Sequence, residues 1–297
     1  MAQFAPFAQP GFARLSFQLN QTMKLLRSIT LRVPALILGL GWLVSTAVAI
    51  DTESTAGSAR ELANRLSALR DGTSYTRLRL EVKQPGDTTK MALQLQIKER
   101  RTKNVADIVY QVLWPKERKG EAVLLHKVGG GAATGSFFMP PDKLVTLNAS
   151  QMSDSLFGSD LSYQDVIENF FAWENQTIVG NDVMDHVNCL ILESKPGKAD
   201  SSTYATVRSW IDPRRLVPLR VEKYMPGGRL VRRIDTTRVV ADDKGRPIPG
   251  GLTVRGLRTD SYTDLDGSRI RHDVTYGDRE FSPEGLREVS APPSAHD

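Results

Sequence analysis

The strongest constraint on the fold is a two-residue alternation of apolar and polar side chains that begins near residue 75. Two neighbouring runs show it, with apolar residues at Leu78, Leu80 and Val82, and then at Met91, Leu93, Leu95 and Ile97. Such alternation places every apolar side chain on one face of a β-strand. Between the runs stands Pro85-Gly86-Asp87, a sequence typical of turns. The two runs therefore predict an antiparallel hairpin with one apolar face.

Further strands are predicted along the rest of the chain, at residues 108–114, 122–128, 173–179, 187–193, 204–211, 216–224, 230–240, 252–257 and 269–276. Turns are expected at Gly180-Asn181-Asp182 and near residues 264–267. A helix is expected at residues 59–67, where Leu62 and Leu66 lie one helical turn apart. About ten strands without strand–helix–strand alternation predict a mainly β (α+β) protein, built on a twisted antiparallel sheet that is curled or half-closed.

Residues 157–171 change from the strand period to a helical one. Their apolar positions follow the three-to-four-residue spacing of an amphipathic helix and are Leu161, Val166, Ile167 and Phe170. Gly158 and Ser159 break the preceding strand pattern, and Ser162 and Asp165 have the spacing of a capping box. The pattern predicts a short helix that lies across the apolar face of the sheet.

The first 49 residues read as a secretory signal peptide. Lys24, Arg27 and Arg32 precede an apolar run at residues 33–44, and Ala47-Val48-Ala49 offers the small residues of a cleavage site. Translation could equally begin at Met23. A retained membrane anchor is the alternative, although the run is shorter than the roughly twenty residues that span a bilayer. We expect one domain at residues 50–290 and a disordered tail at 291–297.

The net charge and the placement of cysteine, histidine and acidic residues exclude several classes of function. The net charge of +5 falls close to neutrality once the four cations of the signal region are removed, so nucleic acid is not an expected partner. The single Cys189 excludes an internal disulfide, and the four histidines have no metal-ligand spacing. Asp264, Asp266 and Gly267 match only part of a calcium loop and fit a hairpin turn better. The sequence thus predicts no enzyme, no metal and no cofactor.

Two interpretations of the apolar side chains remain open. They could form an ordinary packed core, or a half-open β shell closed by the helix could enclose an apolar cavity that takes acyl chains. Candidate cavity and lid residues are Leu93, Leu95, Val112, Trp114, Phe157, Tyr163, Val166, Ile167 and Phe170. The pattern alone does not choose between the two.

Residues 157–165 resemble a family signature. Their sequence, Phe-Gly-Ser-Asp-Leu-Ser-Tyr-Gln-Asp, is similar to Met-Gly-Ser-Asp-Phe-Ser-Tyr-Glu-Asp of the bacterial outer-membrane lipoprotein-sorting proteins, the LolA-like group of the LolA/LolB superfamily. Phe138-Met139-Pro140-Pro141 upstream, and Trp210-Ile211-Asp212, Pro218–Glu222 and Gly227-Gly228 downstream, resemble further elements of that family in the same order. The resemblance covers roughly residues 66–281. Phe157, Phe137-Phe138 and the lack of a match to the family's cargo-sensing arginine are departures.

The resemblance implies an unclosed β-barrel with short helices as plug or lid, in which Gly158, Ser159, Asp160, Ser162 and Asp165 form the structural motif. It implies a non-enzymatic carrier in the periplasm of a Gram-negative bacterium. The expected partners of this monomer are lipoprotein acyl chains or membrane lipid, with an inner-membrane transporter or an outer-membrane acceptor. The alternative is a periplasmic interaction module that regulates a transporter or a signalling protein.

Overall fold

The computed structural model describes residues 52–256 and 260–292, without the side chains of residues 52–56 and 268. The predicted signal peptide, the alternative start at Met23 and residues 293–297 of the predicted tail lie outside the described residues. Among the residues that are described, no helix has the length and apolar character needed to cross a membrane.

The described chain contains two α-helices, thirteen strands and four 3-10 helices. The helices are α1 (Thr52–Ala68) and α2 (Tyr163–Ile167), and the 3-10 helices are Ala149–Ser153, Phe170–Ala172, Asp278–Phe281 and Gly285–Arg287. The strands are β1 (Gly72–Gln84), β2 (Thr88–Arg101), β3 (Val105–Trp114), β4 (Ala122–Val128), β5 (Thr134–Met139), β6 (Lys143–Leu147), β7 (Asn175–Met184), β8 (Val187–Lys195), β9 (Thr206–Asp212), β10 (Val217–Tyr224), β11 (Leu230–Ala241), β12 (Pro247–Gly256) and β13 (Tyr262–His272).

All thirteen strands form one antiparallel sheet in the order β6-β5-β4-β3-β2-β1-β13-β12-β11-β10-β9-β8-β7. Two meanders, β1–β6 and β7–β13, are joined where β1 pairs with β13. The edges of the sheet are therefore β6 and β7, and the sheet does not close into a barrel. Residues 148–174, which we call the connecting segment, join these two edges. The predicted mainly β fold with an unclosed antiparallel sheet is confirmed.

The largest buried cluster lies between the connecting segment and the apolar face of the first meander. Leu80, Leu93, Leu95, Val112, Val123 and Leu125 of β1–β4 pack there with Leu156, Phe157, Leu161, Tyr163 and Ile167 of the connecting segment. A second cluster buries Leu62 and Leu66 of α1 against Trp173, Leu192 and Ile211. The pattern of leucines that predicted the first helix thus marks its buried face.

Two predicted turns are wrong. Strand β7 continues through Gly180, with a bulge between Ile178 and Gly180, and turns instead at Asp185 and His186. Both of those residues have positive φ, as a two-residue hairpin of the I′ type requires. Residues 264–267 lie inside β13, paired with β1 and β12. The reversal before β13 falls after Gly256, and residues 257–259 within it lie outside the description.

The short helix predicted within residues 157–171 is Tyr163–Ile167. Phe157 and Gly158 have φ of +55° and +86°, in agreement with the predicted break before it. Phe170, which the helical spacing included, lies instead in the 3-10 helix Phe170–Ala172. The helix ends at Ile167, since Glu168 has an extended backbone with φ of −69° and ψ of 135°. Arg101 donates to the free oxygens of Val166 and Ile167 at 3.1 and 3.2 Å.

Candidate functional site

The connecting segment enters the sheet interior through a tight turn that leads into α2. Phe157 adopts a left-handed φ, which is uncommon for a residue with a side chain. Burial holds it there: the side chain is 5% exposed, its ring lies 6.1 Å from the ring of Phe137, and its carbonyl accepts a hydrogen bond from Arg118. Gly158 follows, also left-handed, as the predicted break before the helix requires.

The predicted capping box of α2 is confirmed. The Ser162 hydroxyl accepts from the backbone N–H of Asp165 at 3.2 Å, and the Asp165 carboxylate accepts from the N–H of Ser162 at 2.8 Å. Two N–H groups at the start of the helix are thereby satisfied. Asp160 has a different role, because its carboxylate accepts from the Thr263 hydroxyl at 2.8 Å and so fastens the turn to β13.

Asp165 also carries the most deeply buried charge of the site. Its carboxylate lies 2.8 Å from Nζ of Lys223, 3.0 Å from Nε of Arg232 and 2.7 Å from the hydroxyl of Tyr204. The side chains of Asp165 and Lys223 are 0% and 1% exposed. Burial alone would raise the pKa of Asp165, but the charges of Lys223 and Arg232 and the hydrogen bonds outweigh it and hold that pKa far below its ordinary value. We call these residues, with Ser162, the Asp165 cluster.

The strand register explains why a carboxylate is needed at this point. Lys223 of β10 and Arg232 of β11 stand directly opposite each other. Like charges in that position repel. Asp165 approaches both from the connecting segment and relieves the repulsion. The ammonium group of Lys223 also lies 5.1 Å from the ring centre of Tyr204 and 5.7 Å from that of Phe170, which favours a cation.

Glu168 supplies a second buried carboxylate just after α2. It accepts hydrogen bonds from Gln164 at 2.6 Å, Ser202 at 3.1 Å and the indole N–H of Trp173 at 3.2 Å, and it lies 3.4 Å from Nζ of Lys127. Its backbone oxygen accepts from Arg70 at 2.9 Å. Burial and the neighbouring Arg101 lower the pKa of Arg70 to about 10. The helix is thus fastened at both ends by buried polar groups.

Most of the predicted cavity and lid residues meet in one place. Six belong to the largest buried cluster, namely Leu93, Leu95, Val112, Phe157, Tyr163 and Ile167, and Val166 packs against it. Phe170 lies in the second cluster, with Phe171 and Trp173. Trp114 is 52% exposed near the end of β3, so its predicted place in the interior is wrong: the strand has left the covered part of the sheet there.

Two cavities flank α2. The larger has a volume of about 420 Å³, and residues of its wall include Asp160, Leu161, Tyr204, Met225, Val231 and Arg232. We call it the Arg232 cavity. The smaller measures about 330 Å³, and Met152, Gln164, Ile167 and Glu168 contribute to its wall. Both volumes fall within the range of small-molecule sites.

The sequence analysis missed Lys223, Arg232 and Tyr204. One signal for Lys223 was available, since Val217, Leu219, Val221 and Lys223 alternate along β10 and all four are buried. A lysine on the inward side of a strand requires a buried acid as its partner. The partner could not be identified, because the contact joins residues 58 positions apart.

The spacing of the histidines in the sequence suggested that each is isolated. In the structure, His272 lies beside two acids. Its Nδ1 lies 2.5 Å from a carboxylate oxygen of Asp243 and 3.7 Å from one of Asp242. Asp242 in turn accepts from the N–H groups of Lys244 and Arg246 and pairs with the Arg246 guanidinium at 2.8 Å. The trio ties the β11–β12 turn to the end of β13.

Comparison with known proteins adds a family and a fold. A family model with the description "Uncharacterized protein" matches residues 106–288. No curated protein matches the chain.

Three solved structures share the fold. A DUF1329 family protein from Desulfovibrio piger has a TM-score of 0.71 at 21% identity, over 78% of this chain and 99% of its own. An outer membrane lipoprotein-sorting protein domain from Vibrio parahaemolyticus has a TM-score of 0.69 at 18% identity, over 78% and 100%. A LolA superfamily protein from Nitrosomonas europaea has a TM-score of 0.60 at 19% identity, over 77% and 97%. The expected LolA-like architecture is confirmed.

Proposed function

Since this chain belongs to the family whose model spans residues 106–288 and has the LolA-like fold, we propose that it is a non-enzymatic periplasmic carrier of lipidated or lipid-like cargo. One observation carries the proposal. The connecting segment links the two edge strands β6 and β7, and it packs apolar side chains against the face of the unclosed sheet. Apolar packing of a segment on a sheet, unlike strand pairing, has no fixed hydrogen bonds and can give way to another apolar chain.

The chemistry of the exchange follows from the residues in contact. Phe157, Tyr163 and Ile167 cover Leu93, Leu95 and Val112, and an acyl chain would cover the same surface. Each methylene group removed from water contributes about 0.8 kcal/mol, so even a partly inserted chain binds without specific polar contacts. The left-handed Phe157 favours opening, because release of a non-glycine residue from that conformation gains about 1–2 kcal/mol.

Bound lipid is the direct test of this carrier function. We expect native mass spectrometry and solvent extraction of the purified protein to recover an acylated ligand, chemically unchanged, and the delipidated protein to take up a fluorescent fatty acid. Val166→Asp should impair uptake more than folding, because Val166 lies beside the buried cluster without being fully enclosed. The same change at Val183, which is 63% exposed on β7, is the matched control. Delipidated protein that binds no acylated ligand would refute the proposal.

Export can be tested separately. The proposed location requires residues 1–49 to be removed during secretion. The intact mass of the protein recovered from the periplasm should correspond to a chain that starts at Ile50. A chain that keeps its apolar run and sediments with membranes would support the anchor instead.

A protein partner is the second candidate function, and the edge strand β7 favours it. Val179 and Val183 are 46% and 63% exposed there, and among the described strands β7 pairs only with β8. Exposed edges of this kind accept an added strand from a partner. Co-purification of a transporter or signalling protein without lipid, lost on Val183→Lys, would favour this role over the carrier.

A further inference from the structure

The Asp165 cluster holds one more positive charge than negative charge. Lys223 is the closer cation, at 2.8 Å, and it forms a hydrogen-bonded pair with Asp165 that is almost wholly buried. That pair is neutral as a unit. Arg232 is the second cation on the same carboxylate, so its charge is in excess.

Arg232 also has hydrogen-bonding capacity to spare. Its Nε lies 3.0 Å from the Asp165 carboxylate, but the N–H does not point at that oxygen, and this buried nitrogen has no hydrogen-bond partner among the described residues. Leaving a buried donor unsatisfied costs about 1–3 kcal/mol. An acceptor in the cavity would meet the terminal nitrogens of the guanidinium, which carry four further N–H donors.

The cavity beside this arginine is large enough for such an acceptor. Arg232 contributes to the wall of the 420 Å³ cavity, together with the apolar side chains of Leu161, Met225 and Val231. A guanidinium next to apolar side chains suits a molecule with an anionic group at one end and a hydrocarbon chain at the other.

Asp160 is the one acid among the described residues of the cavity wall, and its carboxylate is engaged by the protein. Asp160 accepts hydrogen bonds from the hydroxyls of Thr263 at 2.8 Å and Ser261 at 3.1 Å, and its N–H is 2.9 Å from the same Thr263 hydroxyl. These contacts hold it towards β13. Arg232 stands on β11.

We propose that the Arg232 cavity binds the anionic group of an amphiphile, a phosphate or a carboxylate, with Arg232 as its main ligand. This inference rests on the proposed carrier function and specifies its cargo. The hydrocarbon chain lies against Leu161, Met225 and Val231, at the side of the turn that leads into α2.

The test compares two lipids with the same acyl chain, of which one ends in a phosphate monoester and the other in a zwitterionic phosphocholine. Oleoyl lysophosphatidic acid and oleoyl lysophosphatidylcholine are titrated into delipidated protein below their critical micelle concentrations. Because only the first offers a phosphate monoester, we expect it to bind at least about tenfold more tightly. Arg232→Gln should weaken binding of lysophosphatidic acid by about the same factor and leave the affinity for lysophosphatidylcholine unchanged.

Arg233→Gln is the matched control. It removes the same charge one position along β11, where alternation turns the side chain to the other face and Arg233 pairs with Asp235 at 2.9 Å. It should change neither affinity. If Arg232→Gln does not fold by circular dichroism, Met225→Glu replaces it, since a carboxylate in the cavity wall should weaken the binding of lysophosphatidic acid alone.

Each remaining outcome has a defined meaning. Equal affinity for both lipids, or an equal loss of both in the variant, overturns the anionic site but leaves the carrier function standing. Wild-type protein that binds the fluorescent fatty acid but neither lysolipid overturns the anionic site alone, and protein that binds none of the three overturns both. Inorganic phosphate alone is titrated in parallel, and an affinity equal to that of the lipid, lost in Arg232→Gln, would support the anionic site and assign it to free phosphate.

Discussion

The two sides of the connecting segment make different kinds of contact, apolar packing on one side and buried ion pairs on the other. On one side, Phe157 and Ile167 pack on aliphatic residues of the first meander through contacts that have no preferred direction. On the other, Asp165 meets Lys223 and Arg232 at hydrogen-bond distances in a fixed register. An acyl chain could replace the first set of contacts, but only another acid could replace the second. The charged side therefore fixes where α2 sits, and the apolar side is where exchange can occur.

Removal of the Asp165 charge should have the largest effect on stability. Asp165→Asn leaves Lys223 and Arg232 buried and opposed without a compensating acid, and breaking a buried pair in this way costs about 3–5 kcal/mol. The free energy of unfolding from urea titration measures it.

The stability loss of Asp165→Asn is compared with that of two further variants. Asp266→Asn removes the charge of an acid that is 70% exposed and pairs with Arg238, and the loss there should stay below about 1 kcal/mol. Adding Lys223→Met to Asp165→Asn should restore part of the lost stability, because one unpaired cation is gone. A loss at Asp165 no larger than that at Asp266 would contradict the view that the charged side fixes the helix.

Truncation on the apolar side should cost less stability and spare function. Ile167 is 1% exposed, so Ile167→Ala should lower the free energy of unfolding by about 2–4 kcal/mol. Because the truncation also leaves room beside Leu93 and Leu95, affinity for a fatty acid should be kept or increased. Val179→Ala, at an exposed position of β7, should change neither quantity. Loss of fatty-acid binding in Ile167→Ala, with the fold intact, would mean that this side is core and not an exchangeable surface.

The contrast between the two sides also separates what could be predicted from what could not. Alternation at Leu78–Val82 and Met91–Ile97, and the helical spacing around Ile167, depend on local sequence, and the apolar side followed from them. The contacts at the end of α2 did not, because its last carbonyl groups accept from Arg101, which lies 66 positions before Ile167.

Contacts between distant residues account for the other differences as well. The pairing of Lys223 with Arg232 depends on the register of β10 against β11, which the turn at Pro226-Gly227-Gly228 does not reveal by composition. Trp114 was placed inside by extending the alternation of β3 beyond the covered sheet. Local periodicity thus predicted the sheet and one face of the site, and tertiary contacts decided the rest.

Loss of the helix cap should have a smaller effect than either change above. Ser162→Ala removes the hydroxyl that accepts from the N–H of Asp165 and donates to its carboxylate, so we expect a loss of about 1 kcal/mol. Thermal or urea unfolding measures it, with Ser153→Ala, an exposed serine outside the box, as the control. Because the cap also orients Asp165, Ser162→Ala and Asp165→Asn should not be additive. Additive losses would show that the cap and the charged cluster act independently.

The smallest expected effect is on the pH dependence of stability. The pKa of Asp165 is held below its ordinary 3.8 by Lys223 and Arg232, against the effect of burial. A carboxyl group whose pKa is lower in the folded state stabilises the fold above its unfolded pKa, and this contribution is lost as the pH falls below that value. At the unfolded pKa itself the loss is about 0.4 kcal/mol. Glu193 and Asp212, whose pKa values are also lowered, titrate in any variant, so the test is the difference between wild type and Asp165→Asn in urea titrations at pH 7 and near pH 4. The variant should lose less stability on acidification than the wild type, and equal losses would mean that the charge of Asp165 does not stabilise the folded protein.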